Sequence, residues 1–481
     1  MISADRMAVV DLNTEALGVP RQQLMESSGH AIARCAKDMV DPGDRITIVA
    51  GRGNNGGDGF VAARFLSEYD IQVQLLGRPD TITTDIARAN WDILETAAIE
   101  CDVIADSTSV HIPPCDLIID ALLGTGVRGK PREPIASAMS AINDAAVPVL
   151  AVDVPSGMDA DSHAVSQTVV DPTQVVTFHD IKPALTDIDV PVTVADIGIP
   201  DAAEDIVGPG DLTALTRNPD SHKGDAGRIL VVGGGPYTGA PALSAQAAMR
   251  AGADLGIIVC PAGVGDTIQG YTPDLIVHTV SGDTLSVDAV SDICAHAETA
   301  DCVVIGPGLG SADETLRTVR EFLREFDGRC VVDADALAVV PDVDTDAQLI
   351  CTPHRGELAT MGGPTRDSDD SWREAISAFA DALGHTLLVK GQHDVISDGE
   401  RSRISRTGNP GMTVGGTGDV LAGVVASFAA QLEDPLTAAA LGAYVNGVAG
   451  DFAANEYGDG LLASDVLEHI PAAIAGDFDD R

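Results

Sequence analysis

"RITIVAGRGNNGGDGFVAARFLSEYDIQVQLLG", residues 45–77, is the stretch that decides the fold class. Two short apolar runs, 45–51 and 71–77, flank a segment with helical character, and glycines crowd the turn after the first run. Apolar runs that alternate with helices are typical of a parallel sheet that is covered on both faces. The sequence therefore predicts an α/β fold.

The same alternation continues along the chain, with one interruption. Further strands are predicted in the first half at 115–124, 147–157, 174–178 and 190–198. The stretch from residue 208 is rich in Gly, Pro and polar residues and has no apolar period, which is typical of a linker. The alternation then restarts at "GRILVVGGG", and no close internal repeat is visible. We therefore expect two different α/β domains in tandem, at 1–207 and 225–481, joined by a linker at 208–224.

Composition narrows the classes of function. The formal net charge of the 481 residues is −44, so nucleic acid is a poor partner, because its phosphates would be repelled. No apolar run is long enough to span a bilayer, and no secretory signal is visible, so a cytoplasmic protein is expected. The acidic coat is typical of a protein from a salt-loaded cytoplasm, where salt screens self-repulsion. An ordinary acidic enzyme is the alternative.

Lysine and cysteine usage adds two further expectations. Only five lysines occur, and four of them lie in Gly- or Pro-containing stretches, which makes them site candidates: Lys130, Lys182, Lys223 and Lys390. The eight cysteines form no C-x-x-C pair, and several lie in apolar strand-like runs. We expect them to be small buried side chains in a reducing compartment and expect no zinc site.

Glycine-rich loops follow five of the predicted strands. They occupy residues 51–59, 124–130, 155–157, 233–240 and 306–310. In open parallel sheets, ligands bind where the carboxyl ends of the strands meet loops. One such loop is often only a turn, but five at this one kind of position indicate ligand sites.

The first-domain loops carry groups suited to anions, cations and protons. Free amides at the start of the helix after "GRGNNGGDG" favour a phosphate, although a capped turn is the alternative. Asp120 and Asp153 end two strands, so they are expected to lie close together. One could hold a monovalent cation while the other handles a proton, and Arg128 and Lys130 suit anionic oxygens.

At these residues the first domain, over about residues 1–205, resembles the NAD(P)H-hydrate epimerase family. The resemblance implies a Rossmann-like three-layer sandwich that interconverts the R and S forms of hydrated NADH or NADPH. It implies that Asp153 is catalytic and that potassium is held by Asn55, Asp120 and Ser156. Arg78 stands where the family has an assisting lysine. The implied hydrate-binding residues are Asn54, Asn55, Gly56, Gly57, Asp58, Gly124, Thr125, Gly126, Val127, Arg128, Gly129, Lys130 and Asp153.

In the second domain, "NPGMTVGGTGDVLAG", residues 409–423, is a glycine loop that opens a small-residue helix. The amides of Gly415 to Gly418 would converge as an anion hole for a phosphoryl group in transfer. Asp419 stands at the same point, where a carboxylate could take a hydroxyl proton as the oxygen attacks phosphorus. A helix-capping aspartate with packing glycines is the alternative.

This half, over about residues 217–475, resembles the ribokinase-like superfamily, and within it the ADP- or ATP-dependent NAD(P)H-hydrate dehydratases. The motifs are "SHKGDAG", "GPGLG", "VVDADAL", "TPHRGEL" and "LVKGQHD". The resemblance implies a three-layer sandwich with Asp419 as base, and Mg²⁺ near Glu357, Asp333 and Asp335. The implied hydrate-binding residues are Ala240, Gly308, His354 and Asp419, and the implied nucleotide-binding residues are Lys390, Gly391, Gln392, His393, Asp394 and Gly418.

Together the resemblances imply a fused repair enzyme that clears both epimers of the hydrate. Hydroxide leaves a reduced nicotinamide ring poorly, and a phosphoryl group transferred from ADP or ATP would make it leave as phosphate. A homo-oligomer is expected. Two alternatives stay open: a ribokinase-like small-molecule kinase with a regulatory N-terminal domain, and a fusion in which one domain has lost its activity.

Overall fold

The structure is a computed structural model that describes residues 1–126, 129–162, 168–215, 220–365 and 371–476. The chain divides into two compact units, Met1–Ala203 and Glu204–Arg481. Both are α/β. Nowhere in the described ranges is a helix both long and apolar enough to cross a membrane.

The first unit is built on one parallel sheet, with seven strands in its described part. The strands are β1 (Arg45–Ala50), β2 (Asp70–Leu76), β3 (Glu100–Ile104), β4 (Leu117–Ala121), β5 (Val149–Val152), β6 (Gln174–Phe178) and β7 (Val192–Ala195). The helices are α1 (Ala4–Ala16), α2 (Arg21–Lys37), α3 (Asn54–Phe65), α4 (Asp85–Thr96) and α5 (Ile135–Asp144), followed by the short α6 (Ala202–Asp205). The strand order is β3-β2-β1-β4-β5-β6-β7, so the order reverses between β1 and β4. That reversal opens a crevice for ligands at the carboxyl ends of these strands.

Alternating side chains of the first sheet explain why both of its faces are covered. Ile46 and Ile48 of β1 pack with residues of α2 and α3 on one face. Val49 of β1 and Ile118 of β4 pack with Met139 of α5 on the other. Successive side chains of a strand point to opposite faces, so a fully apolar strand demands helices on both.

The second unit has a nine-stranded sheet in its described part. The strands are β8 (Arg228–Val232), β9 (Leu255–Pro261), β10 (Ile276–Val280), β11 (Cys302–Ile305), β12 (Arg329–Val332), β13 (Gln348–Cys351), β14 (Thr386–Val389), β15 (Asp394–Ser397) and β16 (Ser402–Ser405). The helices are α7 (Gly239–Arg250), α8 (Ala262–Gln269), α9 (Val290–Ala297), α10 (Asp313–Glu325), α11 (Arg355–Thr360), α12 (Trp372–Leu383), α13 (Thr417–Gln431), α14 (Pro435–Tyr457) and α15 (Ala463–Ala475). The order is β10-β9-β8-β11-β12-β13-β14-β15-β16. From β10 to β14, neighbouring strands pair in parallel. The last two pairs, β14 with β15 and β15 with β16, are antiparallel.

Small residues let the helices of the second unit pack closely. A Cβ added to Gly423 of α13 would lie 2.0 Å from the carbonyl oxygen of Ser244 in α7. The Ser244 hydroxyl in turn donates to the carbonyl oxygen of Asp419 over 2.8 Å. The close approach of the two helices therefore fixes the start of α13, where the predicted base lies.

The sequence pattern does not predict three of the strands, β3, β10 and β16. β3 and β10 are edge strands whose side chains are largely exposed or half-buried, and β16 has the same mixed burial. Such strands need no continuous apolar run, so the pattern that marks buried strands is missing from them. The sequence-based prediction of a largely parallel, two-sided architecture is confirmed for the central strands.

Residues just after the first unit attach to the second sheet. Ile206 forms a parallel bridge with Ile404 of β16, and the Val207 amide donates to the Ile404 carbonyl over 2.9 Å. The Arg403 guanidinium contacts both carboxylate oxygens of Asp211 at 3.0 Å. The division therefore falls after Ala203, inside the stretch that the sequence assigned to the first domain, and residues 209–214 form a 3-10 helix where a linker was expected.

Candidate active sites

The loop after β1 is pressed against the loop after β4. A Cβ on Gly51 would lie 1.9 Å from the Leu122 carbonyl oxygen, and one on Gly56 would lie 2.1 Å from the Gly51 carbonyl oxygen. Only glycine fits such approaches. The glycines of "GRGNNGGDG" thereby bring the amino end of α3 to the carboxyl end of β4.

Asp120, next to last in β4, is 0% exposed. Its carboxylate accepts hydrogen bonds from the amide and hydroxyl of Ser156, over 2.9 and 2.7 Å. Burial raises the pKa of Asp120 to about 6, and the hydrogen bonds from Ser156 and Leu122 oppose that rise. Asp120 and Ser156, two of the three residues predicted to hold potassium, are thus in direct contact.

Asn55 lies beside this pair in the first turn of α3. It is buried, and its Nδ2 has no hydrogen-bond partner within the described part of the chain. A Cβ on Gly124 would lie 3.3 Å from the Asn55 side chain, so the loop after β4 passes directly over it. An orphaned buried amide calls for a ligand or water.

Asp153 follows β5 with a φ of 67°, in the left-handed region that is unusual for a residue with a Cβ. Its Oδ1 accepts from the Thr177 hydroxyl over 3.1 Å and pairs with the Lys182 ammonium at 3.0 Å. Lys182 was predicted as a site candidate from the scarcity of lysine. The structure places it against the predicted catalytic carboxylate.

Two more carboxyl groups surround Asp153. Burial, with the charges of Asp153 and Asp11, raises the pKa of Asp58 well above its usual range. Burial raises the pKa of Asp11 to about 6, and Asp153 adds to the rise. Asp58 therefore keeps its proton to higher pH than an ordinary aspartate does. Asp11, on α1, was missed from the sequence because it belongs to no glycine loop and no strand end.

Of the remaining first-unit candidates, Gly57 is buried and the others described below are more exposed. The Asn54 side chain accepts from the Thr84 hydroxyl over 2.7 Å. Arg78 is 67% exposed and forms a surface ion pair with Asp80. Thr125 and Gly126 follow Gly124 in the same loop, and Val127 and Arg128 lie outside the described residues. Gly129 and Lys130 are exposed, and Lys130 lines a surface cavity of about 460 Å³ with Glu133 and Ser137.

In the second unit, the loop before α13 is fastened to α14. The Asn409 side chain donates to the Gly450 carbonyl over 2.9 Å and to the Asp451 carboxylate over 3.0 Å. Gly416, with a φ of 101°, is the N-cap of α13. The first-turn amides of α13 lack intrahelical partners, as at any helix start, so they form an anion site. Asp419 lies in that first turn.

Lys390, directly after β14, lies at the same place. Its Nζ is 3.0 Å from Asp333 Oδ1 and 3.8 Å from Glu357 Oε2. A Cβ on Gly418 would lie 3.2 Å from the same Nζ. The structure therefore brings together four predicted site residues, Asp333, Glu357, Lys390 and Gly418, from β12, α11, β14 and α13.

The electrostatics of this cluster favour a base at neutral pH. Burial, together with the charges of Asp333 and Glu357, raises the pKa of Asp419 to about 7, and Lys390 opposes the rise. Burial lowers the pKa of Lys390, but the neighbouring carboxylates outweigh it and the net shift is upward. Lys390 thus stays charged, while Asp419 is poised to exchange a proton near pH 7.

His354 lies at the N-cap of α11. Its Nδ1 accepts from the amides of Gly356 and Glu357, each over 3.0 Å. A neutral ring therefore carries its proton on Nε2. The side chain is 60% exposed, and its Nε2 lies 3.5 Å from Glu357 Oε1.

Loops after β8 and β11 meet beside the start of α7. The Gly234 amide donates to the Pro307 carbonyl over 2.9 Å. Gly308 has a φ of 72°, and a Cβ there would lie 2.2 Å from the Tyr237 carbonyl oxygen. Ala240 lies in the first turn of α7, at the end of this loop. Two of the predicted glycine loops, those after β8 and β11, therefore pack against each other.

The turn after Lys390 leads into β15. The Gly391 amide donates to Asp394 Oδ1 over 2.9 Å, and Gln392 and His393 are exposed between them. Burial raises the pKa of Asp394 to about 6, although this hydrogen bond and Lys390 oppose the rise. Asp394 therefore shapes the turn, which leaves the exposed residues for a ligand.

Two predicted residues lie apart from these clusters. Asp335 is exposed in the 3-10 helix that follows β12. Lys223 is exposed in a loop held by Asp254, which accepts from the Gly224 amide over 2.7 Å, before the amino end of β8. Within the described ranges, no group of three or more His, Cys, Asp or Glu residues is arranged to hold a metal.

Two family models match the chain. The model described as NAD(P)H-hydrate dehydratase matches residues 229–472, and that described as YjeF-related protein N-terminus matches residues 21–184. A solved structure is also similar to this chain: the ADP/ATP-dependent NAD(P)H-hydrate dehydratase from Bacillus subtilis, co-crystallized with ATP and Mg²⁺. It is 26% identical with a TM-score of 0.50, over 56% of this chain and 96% of that one.

Curated relatives match both units at once. The bifunctional NAD(P)H-hydrate repair enzyme Nnr of Methanothermobacter thermautotrophicus is 41% identical over 493 residues, which cover 98% of this chain and 95% of that protein. The enzyme of the same name from Pyrobaculum aerophilum is 42% identical over 492 residues, with 98% of each chain covered. The chain therefore belongs to the family of bifunctional NAD(P)H-hydrate repair enzymes.

Proposed function

We propose that this chain repairs hydrated NADH and NADPH in two steps. The first unit interconverts the R and S hydrates, and the second removes water from the S hydrate with ADP or ATP as phosphoryl donor. The observation that carries this proposal is Asp419, whose pKa is about 7, in the open first turn of α13 and within the electrostatic reach of Lys390.

In the dehydration step, Asp419 takes the proton of the hydrate hydroxyl as its oxygen attacks the terminal phosphorus of the nucleotide. The amides of the first turn of α13 and the Lys390 ammonium stabilise the negative charge on the transferred group. The bond between phosphorus and the nucleotide oxygen breaks. Phosphate then leaves the ring carbon, the adjacent carbon loses a proton, and the ring double bond is restored.

Magnesium fits the carboxylates around Lys390. Mg²⁺ is usually held by one or two carboxylates together with substrate phosphates and water. Asp333 and Glu357 already lie within 4 Å of Lys390 Nζ, at 3.0 and 3.8 Å, and would hold the ion beside the nucleotide. When bound, Mg²⁺ would neutralise phosphate charge. Asp335, which is exposed, is a poorer ligand.

Potassium fits the pocket of Asn55, Asp120 and Ser156. These residues offer an amide oxygen, a carboxylate and a hydroxyl, all of them oxygen donors. The carboxylate of Asp120 is fully buried, and its hydrogen bonds from Ser156 and Leu122 come from neutral groups. A bound potassium ion would neutralise that charge and order the loop over Asn55.

Epimerisation requires a bond at the hydroxyl-bearing carbon to break and re-form. Water added to an enamine places the hydroxyl on the carbon next to nitrogen. Asp153 takes the hydroxyl proton while the carbon–nitrogen bond opens and a carbonyl forms, and Asp58, whose pKa burial raises, protonates the nitrogen. Rotation about the neighbouring carbon–carbon bond and the reverse transfers then give the other epimer.

Separated R and S hydrates, each with ADP or ATP, test both activities in the purified chain in high potassium chloride. Recovery of NADH absorbance and release of phosphate are expected with the S hydrate at once and with the R hydrate after interconversion. A stable phosphorylated product without recovered absorbance would favour the small-molecule kinase instead. A cytoplasmic, salt-adapted homo-oligomer stays a prediction, which light scattering in potassium chloride tests for the oligomer.

A further inference from the structure

Lys182 is a buried lysine in a chain that has only five lysines. It follows β6 in the stretch "DIKPAL", and its side chain is 1% exposed. Lysine is almost never fully buried without a partner, because removing an ammonium from water is costly. Its place in the fold therefore needs a charge to pair with.

The Lys182 ammonium has three oxygen partners. Its Nζ lies 3.0 Å from Asp153 Oδ1 and donates to the carbonyl oxygens of Phe178 and Asp180 over 2.7 and 3.3 Å. An ammonium has three donors, so these contacts fill its capacity. The two carbonyls come from the turn after β6, so the turn fixes where the positive charge is presented.

Asp153 is held in place from two sides. Its amide donates to the Val176 carbonyl over 2.7 Å, although its φ of 67° is disfavoured for a residue with a Cβ. Its side chain is 14% exposed, and its contacts with Thr177 and Lys182 in the described structure both end on Oδ1. That arrangement leaves Oδ2 to face a substrate.

The other charged groups around Asp153 explain why the Lys182 ammonium is needed beside it. Asp58 and Asp11 both interact with Asp153, and Arg21 and His179 act on Asp11. Like charges close together cannot all ionise cheaply. The positive charge of Lys182 is held against one of the three carboxyl groups, that of Asp153.

We propose that Lys182 is a positioning residue of the epimerase reaction, which keeps the Asp153 carboxylate paired with a positive charge and turned toward the hydrate. The inference rests on the proposed role of Asp153 as the base. Because Lys182 has no free donor and is buried, it acts through Asp153 and does not itself transfer a proton.

The test measures R-to-S interconversion without nucleotide, as a function of pH, in the full chain. Lys182→Met removes the charge, Lys182→Gln keeps a hydrogen-bond donor without the charge, and Lys182→Arg keeps the charge. For both neutral variants we expect kcat at pH 7 to fall about 100-fold, with KM within about twofold of wild type. We also expect the acid limb of their rate profile to move to higher pH, because an unpaired carboxylate takes up a proton more readily. For Lys182→Arg we expect that limb to stay in place even where the rate is lower.

A structural role alone would lower the rate equally at every pH, and such a profile in correctly folded neutral variants overturns the inference. If the neutral variants do not fold, the pH profile of Lys182→Arg provides the test. A shift of its acid limb to higher pH would also overturn the inference. Asp153→Asn is run beside them, because full activity of that variant would remove the proposed role of Asp153 itself. Dehydration of the S hydrate, a property of the other unit, should stay at the wild-type rate throughout.

Discussion

The ammonium of Lys390 lies 3.0 Å from Oδ1 of Asp333, a buried carboxylate that also accepts from the Thr352 hydroxyl over 2.8 Å. Asp333 follows β12 and Lys390 follows β14, so the pair fixes a positive charge across the carboxyl end of the second sheet. The first turn of α13 lies beside it, since a Cβ on Gly418 would be 3.2 Å from Lys390 Nζ. A charge fixed in advance stabilises a transferring phosphoryl group without reorganisation at the moment of reaction.

Asp419→Asn should abolish most dehydration. Loss of a general base typically costs about 10²- to 10⁴-fold in rate, and the amide cannot take the hydroxyl proton. Recovery of NADH absorbance from the S hydrate with ADP measures the effect. Asp346→Asn, an exposed aspartate in the same unit, is the control and should keep the wild-type rate. A fully active Asp419→Asn enzyme would contradict the mechanism.

The dehydration rate should rise with pH through about 7, because Asp419 must be ionised to act and its pKa is about 7. Lys390 lowers that pKa, so Lys390→Met should move the rise to higher pH as well as slow the reaction. Both effects are measured by following kcat from about pH 5.5 to about pH 9, a range that spans the pKa of the base. A flat profile in the wild-type enzyme would argue against Asp419 as the base.

Asp419 should also cost stability above neutral pH. Its folded-state pKa, about 7, is above the ordinary value of 3.8, so the unfolded chain loses this proton first and stability falls as pH rises between the two. Asp419→Asn should therefore raise the free energy of unfolding of the second unit by about 1–3 kcal/mol at pH 8. Thermal unfolding at pH 8 and at pH 4 measures this; the gain should be much smaller at pH 4.

Gly308→Ala should disrupt the proposed hydrate site, where the loops after β8 and β11 pack together. Its Cβ would lie 2.2 Å from the Tyr237 carbonyl oxygen, so the loops after β8 and β11 must separate. Gly362→Ala is a matched control, since Gly362 also has a positive φ, of 80°, but open space around it. We expect KM for the S hydrate to rise at least about tenfold, corresponding to about 1.4 kcal/mol, in Gly308→Ala and to change little in Gly362→Ala. Equal kinetics in the two variants would sink this assignment.

Potassium should support epimerisation through Asp120. Exchange of potassium for tetramethylammonium at equal ionic strength should slow the wild-type R-to-S interconversion, because the buried Asp120 carboxylate then loses its counter-ion. Asp120→Asn should be slow in both salts, since it has no charge to neutralise. Nuclear magnetic resonance of the two hydrates follows the interconversion. The potassium site would be in the wrong place if the variant kept the wild-type salt response.

The sequence indicates where these residues lie when one local pattern carries the information. Glycine loops after buried strands place Asp120 and Asp153 at one edge of a parallel sheet, and the glycine loop before α13 places Asp419 in the first turn of that helix. Asp11 could not be predicted from the sequence, because it lies on α1, far along the chain from the carboxyl groups that it approaches in the folded structure. Lys182 was marked by the rarity of lysine, but its partner depends on the strained turn at Asp153, which no pattern in the sequence announces.

The attachment of residues 206–211 to β16 has a consequence for any attempt to separate the two activities. If the gene is divided within the glycine- and proline-rich stretch, residues at the start of this segment remain on the first fragment. The strand β16 then loses the backbone that pairs with it. The uncovered backbone would then be free to pair with other chains, which is how exposed strands seed aggregates. A soluble, active second half should therefore need to start no later than Glu204.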